Sequence, residues 1–144
     1  LADLVSTHSR LELREKLQWL LEEDAKKALD LGIDGIIVSN HGGRQVDGSI
    51  SALQALIAIR RDIGERIPIL FDSGIRRGAD AIKALALGAT AVLLGRNYVW
   101  GLALGGKEGV YEVVSNFLAD LDLTLALSGY ANISELNESS LCKI

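Results

Sequence analysis

Hydrophobic positions recur at helical spacing in the first quarter of the chain and then condense into short continuous runs. Leu13, Leu17, Leu20 and Leu21, followed by Ala25, Ala28 and Leu29, lie on one side of a 3.6-residue period. Ser9 and Glu12 match a capping box, and Gly32 supplies a left-handed stop. One helix of about 20 residues is predicted there. Gly35-Ile36-Ile37-Val38-Ser39 is continuous rather than alternating in character, as expected of a strand buried on both faces of a parallel sheet. Ser51 and Gln54 open a helix to about Asp62. Pro68-Ile69-Leu70-Phe71-Asp72 reads as the second strand, with proline at its first residue. A turn from Gly74 to Gly78 leads into a helix over 79–87, closed by Gly88, and 90–94 reads as the third strand. Beyond it the pattern predicts a short helix over 99–104, a break at Gly105-Gly106, and an amphipathic helix from about Lys107 to Leu127. That helix has Val110, Val113, Val114, Phe117, Leu118 and Leu121 on one face. Asn132 or Ser134 is placed to cap a last short turn.

The predicted order is α-β-α-β-α-β-α-α, which implies right-handed crossovers and a parallel sheet in an α/β fold. Its 144 residues fit a single domain spanning 1–144. At 49% hydrophobic and 24% charged, the composition is that of a globular chain. A formal charge of −4 gives no electrostatic basis for binding nucleic acid or an anionic membrane. Cys142, the single cysteine, reads as a bystander thiol in a reducing compartment. No apolar run is long enough to span a bilayer, and LADLVSTHSR lacks signal-peptide architecture, so a soluble cytoplasmic protein is expected. No His/Cys cluster at ligand spacing points to a metal.

Chemistry concentrates where strands end. The three strand-to-helix connections carry His41 and Arg44, then Asp72 and Arg76, then Arg96, and ligands of βα folds bind at that end. Glycine beside arginine, in Asp72-Ser73-Gly74-Ile75-Arg76 and in Gly95-Arg96, lets an anion approach backbone N–H groups while guanidinium groups fork onto its oxygens. The plain alternative is a surface ion-pair network of Asp72, Arg76 and Arg96. In SNHGGRQVD, residues 39–47, His41 has the chemistry of a general base and Arg44 that of a carboxylate clamp, as a 2-hydroxy acid would require. The competing reading is a histidine that only satisfies loop backbone. His8, with no such neighbours, reads as a surface residue.

SNHGGRQVDG, PILFDSGIRRGADAIKALALGA and VLLGR together resemble the carboxyl half of the FMN-dependent 2-hydroxy acid oxidase and dehydrogenase family. That family includes glycolate oxidase, lactate oxidase, lactate 2-monooxygenase and flavocytochrome b2, and the segment after Arg96 looks most similar to the lactate 2-monooxygenase branch. The resemblance covers about residues 22 to 141. It implies a partial (β/α)₈ TIM barrel, a half-barrel of the last three βα units with an extra N-terminal helix. It implies FMN as cofactor, His41 as catalytic base and Arg44 on the substrate carboxylate. It places Asp72, Ser73, Gly74, Ile75 and Arg76 along the ribityl chain and phosphate, and Gly95 and Arg96 at the phosphate. The implied reaction oxidises an (S)-2-hydroxy acid such as lactate or glycolate to the 2-oxo acid, or to its decarboxylated product in a monooxygenase.

The likeness also has gaps. A full barrel typically needs about 250 residues. The lysine that relatives carry before the EDA segment has only Lys16 as a counterpart, one residue off the usual spacing and without the following glycine, so Lys16 reads as a solvated helix lysine. Three strands covered on one side leave a sheet face and two edges open, which invites a second copy, the chain's own extra N-terminal helix, or the missing amino half of the barrel. A chain weak or inactive alone is therefore expected. A phosphate- or FMN-binding remnant and a structural half-barrel module without turnover stand as alternatives.

Overall fold

The computed structural model describes residues 22–44 and 48–142. Helix α1 is described over 22–30 and is followed by β1 (Ile36–Val38), a 3-10 turn (His41–Gly43) and α2 (Ala52–Ile63). Then come β2 (Ile69–Phe71), α3 (Gly78–Ala86), β3 (Ala91–Val92), α4 (Arg96–Leu127) and two further 3-10 turns, Ile133–Glu135 and Glu138–Ser140. The Ser9–Glu12 capping box, His8, Lys16 and the helix expected before residue 22 lie outside the described residues, as do Gln45, Val46 and Asp47.

The sheet has the order β1-β2-β3 with both pairings parallel, in the register Ile36↔Ile69, Val38↔Phe71 and Phe71↔Val92. The strands are shorter than expected because the outer residues keep single bonds rather than a repeating ladder. Asp72 N–H still donates to Val38 O at 2.9 Å and Leu93 N–H to Phe71 O at 2.8 Å. Each strand offers one face to the helices. Val38, Ile69 and Phe71 join Leu56, Ile59 and Ile63 of α2 and Ala81 and Ala84 of α3 in one buried core. Fully buried side chains such as Leu56 and Ile69 each contribute about 1.5–3 kcal/mol. The opposite face is open: Ile37 is 60% exposed and Leu93 36%. Continuous apolar strands that predicted two covered faces thus have one covered within the described residues.

Helix α2 begins at the expected capping box, Ser51 Oγ accepting from Gln54 N–H at 3.2 Å, and ends at Gly64 with φ 60°. Arg60, near its end, is a clamp on the lower rim of the sheet. Its guanidinium donates to the carbonyls of Gly88 (2.8 Å) and Gly64 (2.6 Å) and lies 3.3 Å from that of Ile67. Burial pushes its pKa below the ordinary arginine value, partly opposed by Glu65.

Helix α4 is two arms. Gly105 and Gly106 leave helical geometry, and Gly101 and Gly109 meet backbone to backbone across the fold-back. The break falls where expected, but the first arm starts at Arg96 rather than Val99. The buried stripe of the second arm is narrower than predicted. Phe117 and Leu125 are buried and Leu121 packs on the core, whereas Val114 and Leu118 are 37% and 52% exposed. Helix α4 crosses close over the start of α3, where Gly78 N–H donates to Asp120 Oδ2 at 2.6 Å. A Cβ at Gly78 would overlap the backbone of Leu121. Asn132 caps the turn at 133–135, as one of the two expected residues. Among the described residues no helix is long and apolar enough to cross a membrane.

Gly78→Ala is expected to destabilise the fold by about 1–3 kcal/mol through overpacking. Urea denaturation measures it, and an unchanged midpoint contradicts the close α3–α4 crossing.

Candidate functional site

Parallel pairing carries the three strand ends to the same edge, and their loops border an open cavity of about 330 Å³. All nine residues singled out at the strand ends line it: His41, Arg44, Asp72, Ser73, Gly74, Ile75, Arg76, Gly95 and Arg96. They come from sequence positions more than fifty residues apart, so the cavity is a product of the topology.

Local backbone explains how each loop turns. Asn40 precedes the 3-10 turn and accepts from Gly43 N–H through Oδ1 at 3.1 Å, while Gly42 and Gly43 hold positive φ. His41 itself has φ 53°, a left-handed value uncommon for a side-chain-bearing residue. On the second loop Ser73 has φ 109° and Gly74 φ 81°. A Cβ built at Gly74 or Gly95 meets nothing within 4 Å, so both glycines border open space rather than packed atoms. Ile75 is different: its side chain is only 6% exposed and belongs to the core, which leaves its backbone for any ligand.

The charges are arranged for an anion. Asp72 carboxylate takes the hydroxyl of Ser39 at 2.8 Å. The ion pairs among the described residues are Lys26–Asp62 and Arg61–Glu138, so the expected alternative, a network of Asp72 with Arg76 and Arg96, is not formed there. The guanidinium groups of Arg44, Arg76 and Arg96 are all exposed at the cavity with no acidic partner among the described residues. Three unpaired cations in one concavity repel one another, and an anion relieves that repulsion.

Two helices start at this cavity and differ in an informative way. At α3 the Asp80 carboxylate accepts from Arg76 N–H (3.1 Å) and Arg77 N–H (3.0 Å), so the helix start is already capped by an acid. At α4 the N-cap is Gly95, which offers no side-chain acceptor. The first N–H groups beside Arg96 therefore receive no side-chain acceptor from the N-cap residue. These residues fit a phosphate group: two guanidiniums, an uncapped helix start and two glycines with room for close approach.

Several contributors escaped the sequence reading. Ser39 and Asn40 connect the first two loops, with Asn40 N–H donating to Ser73 Oγ at 3.1 Å. Asn97 Nδ2 donates to Arg76 O at 3.0 Å and ties the second loop to the third. Leu93, Tyr98 and Trp100 add an apolar wall. Ser39 and Asn40 flank the singled-out histidine, so the polar run itself was a signal; Asn97 had none beyond its position after Gly95-Arg96. Among the described residues no group of three or more His, Cys, Asp or Glu is placed to hold a metal.

Residues 20–143 match the family described as FMN-dependent dehydrogenase. An FMN-dependent alpha-hydroxy acid dehydrogenase of Penicillium citrinum is 49% identical over 85% of the chain and 30% of its own length. An L-lactate oxidase of Lysinibacillus sphaericus is 52% identical over 84% of the chain and 31% of its own. The chain thus spans about 30% of the length of these curated relatives. A solved lactate oxidase of Pediococcus acidilactici superposes with a TM-score of 0.76 at 46% identity, over 79% of this chain and 32% of that one. An active mutant of (S)-mandelate dehydrogenase does so with a TM-score of 0.80 at 44% identity, over 90% and 40%.

Inorganic phosphate is expected to shift the amide resonances of Gly74, Ile75 and Arg96. Arg76→Ala and Arg96→Ala are each expected to weaken phosphate by roughly 10-fold or more, since a hydrogen bond to a charged group contributes about 1.5–3 kcal/mol. Shifts that survive the double substitution contradict the assigned site.

Proposed function

The chain belongs to the FMN-dependent dehydrogenase family, and on that premise we propose that it provides the phosphate end of a flavin site and the acid–base end of a 2-hydroxy acid site. The observation that carries this reading is the convergence of His41, Arg44, Arg76 and Arg96 on one cavity, with the arginines unpaired among the described residues. Arg76, Arg96 and the start of α4 hold the FMN phosphate, with Gly74 and Gly95 giving it room. Asp72 and the backbone of Ser73 and Ile75 would hold the adjoining ribityl chain. When bound, FMN supplies the acceptor for a two-electron oxidation.

The substrate end follows from the first loop. Arg44 grips the substrate carboxylate with two parallel hydrogen bonds. His41 takes a proton from the substrate as the 2-hydroxy acid becomes the 2-oxo acid. L-lactate, glycolate and mandelate are the substrates to try, because relatives and solved neighbours are named for lactate, 2-hydroxy acids and mandelate. The three βα units form a segment of a (β/α)₈ barrel within a single domain. The open face at Ile37 and Leu93 is where further strands of a barrel, or a second copy, complete the fold. Activity then depends on that completion, and the chain alone is weak or inactive.

Anaerobic addition of L-lactate, glycolate or mandelate to the FMN-loaded full polypeptide carrying this sequence is expected to bleach the flavin absorbance. His41→Ala is expected to slow the bleaching by about 10²–10⁴-fold, the usual contribution of a general base. Arg44→Met is expected to raise KM by roughly 10-fold or more, from the loss of a charge-assisted pair. FMN binding without bleaching by any of the three acids would replace this reading with that of a flavin binder lacking turnover.

A further inference from the structure

Two side-chain-bearing residues at the cavity hold positive φ, His41 at 53° and Ser73 at 109°. Strain of this kind persists only where the surroundings over-determine it. The two residues sit on different loops, 32 positions apart, and the polar groups beside each brace the other. His41 N–H donates to Ser39 Oγ at 3.1 Å, and Ser39 O–H donates to Asp72 Oδ2 at 2.8 Å. Asn40 N–H donates to Ser73 Oγ at 3.1 Å. Ser39 Oγ and Ser73 Oγ are 3.4 Å apart. Since the Ser39 proton goes to the carboxylate, the proton of this weaker contact comes from Ser73. The chain of donors thus runs from Ser73 through Ser39 to the charge on Asp72.

The arrangement gives the Ser73 hydroxyl a part beside the backbone contact proposed above, because that hydroxyl engages the other loop. It also gives Ser39 a part that needs no ligand. We propose that Ser39 and Ser73 are positioning residues: a two-hydroxyl clasp, anchored on Asp72, that holds His41 in its left-handed conformation and fixes the imidazole relative to the arginine end of the cavity. This rests on the reading of His41 as the base. Either hydroxyl alone leaves one loop free to relax. With both in place, the second loop carries the geometry of the first.

The test uses the full polypeptide carrying this sequence, with Ser39→Ala, Ser39→Thr, Ser73→Ala and Ser73→Gly. Glycine accepts φ 109° without strain, so Ser73→Gly removes the hydroxyl without adding backbone cost. Amide hydrogen exchange at Asn40 and His41 reports the clasp directly and needs neither flavin nor turnover. Both amides are expected to exchange roughly 10-fold faster in Ser39→Ala, Ser73→Ala and Ser73→Gly, and at the original rate in Ser39→Thr, which keeps the hydroxyl. In the FMN-loaded protein kcat is expected to fall roughly 10- to 100-fold in the same three variants, as for a misplaced catalytic group, with FMN affinity and substrate KM within about twofold. Unchanged exchange in Ser39→Ala overturns the proposal. So does a loss of FMN affinity with both amides still protected, which would make the serines cofactor contacts. If the unsubstituted protein is not reduced by any 2-hydroxy acid, the functional reading fails separately, and exchange alone decides whether the clasp exists.

Discussion

Parallel hydrogen bonding between three strands is the constraint on which the rest of the structure depends. Because β1, β2 and β3 run the same way in adjacent order, their three exits open at one edge. Each return path must then cross the sheet as a helix, and α2 and α3 do so on one face, where Val38, Ile69 and Phe71 meet them. Residues as distant as His41 and Arg96 become neighbours through that geometry alone. The lower rim is closed by Arg60 bonding to carbonyls from two loops, so the ends opposite the cavity are held while the cavity end is left polar and open.

The cavity gathers unpaired positive charge and uncommon backbone geometry in one place. Arg44, Arg76 and Arg96 have no acid to neutralise them among the described residues, and two side-chain-bearing residues stand in left-handed geometry. Neither feature serves packing. The contrast between the two helix starts points the same way. Asp80 blocks the start of α3, whereas α4 begins at a glycine with no acceptor, so the positive end of α4 faces the concavity beside Arg96. On the proposed reading, an anion with several oxygens at one end and a proton-transfer group at the other would account for both features. Ile37 and Leu93 are exposed apolar residues among the described ones, as the proposed completion of a barrel would require.

Much of this was legible in the residues because each strand is a continuous apolar run punctuated by glycine or proline, and each loop is polar. Ser51 with Gln54 announced α2, and Gly105-Gly106 announced the break in α4. What could not be read was anything set by tertiary approach. On α4 Val114 and Leu118 stay exposed while Val110, Val113, Phe117 and Leu121 of the same predicted face are at least half-buried, and a helical period alone cannot reveal which part of a broad apolar face will be used. Ser39 and Asn97 act across loops, and pairings between distant polar residues leave no periodic trace. Ile75 sat within a motif read as ligand-facing, yet its side chain belongs to the core.

The arginine end of the cavity is proposed as a phosphate site, and FMN compared with riboflavin isolates that contribution. The two differ only in the phosphate. Calorimetric titration of the full polypeptide carrying this sequence is expected to show FMN binding roughly 100-fold or more tighter than riboflavin, from two charge-assisted guanidinium contacts. That advantage is expected to disappear in the Arg76→Ala, Arg96→Ala double variant. Equal affinity for the two flavins in the unsubstituted protein would contradict the account.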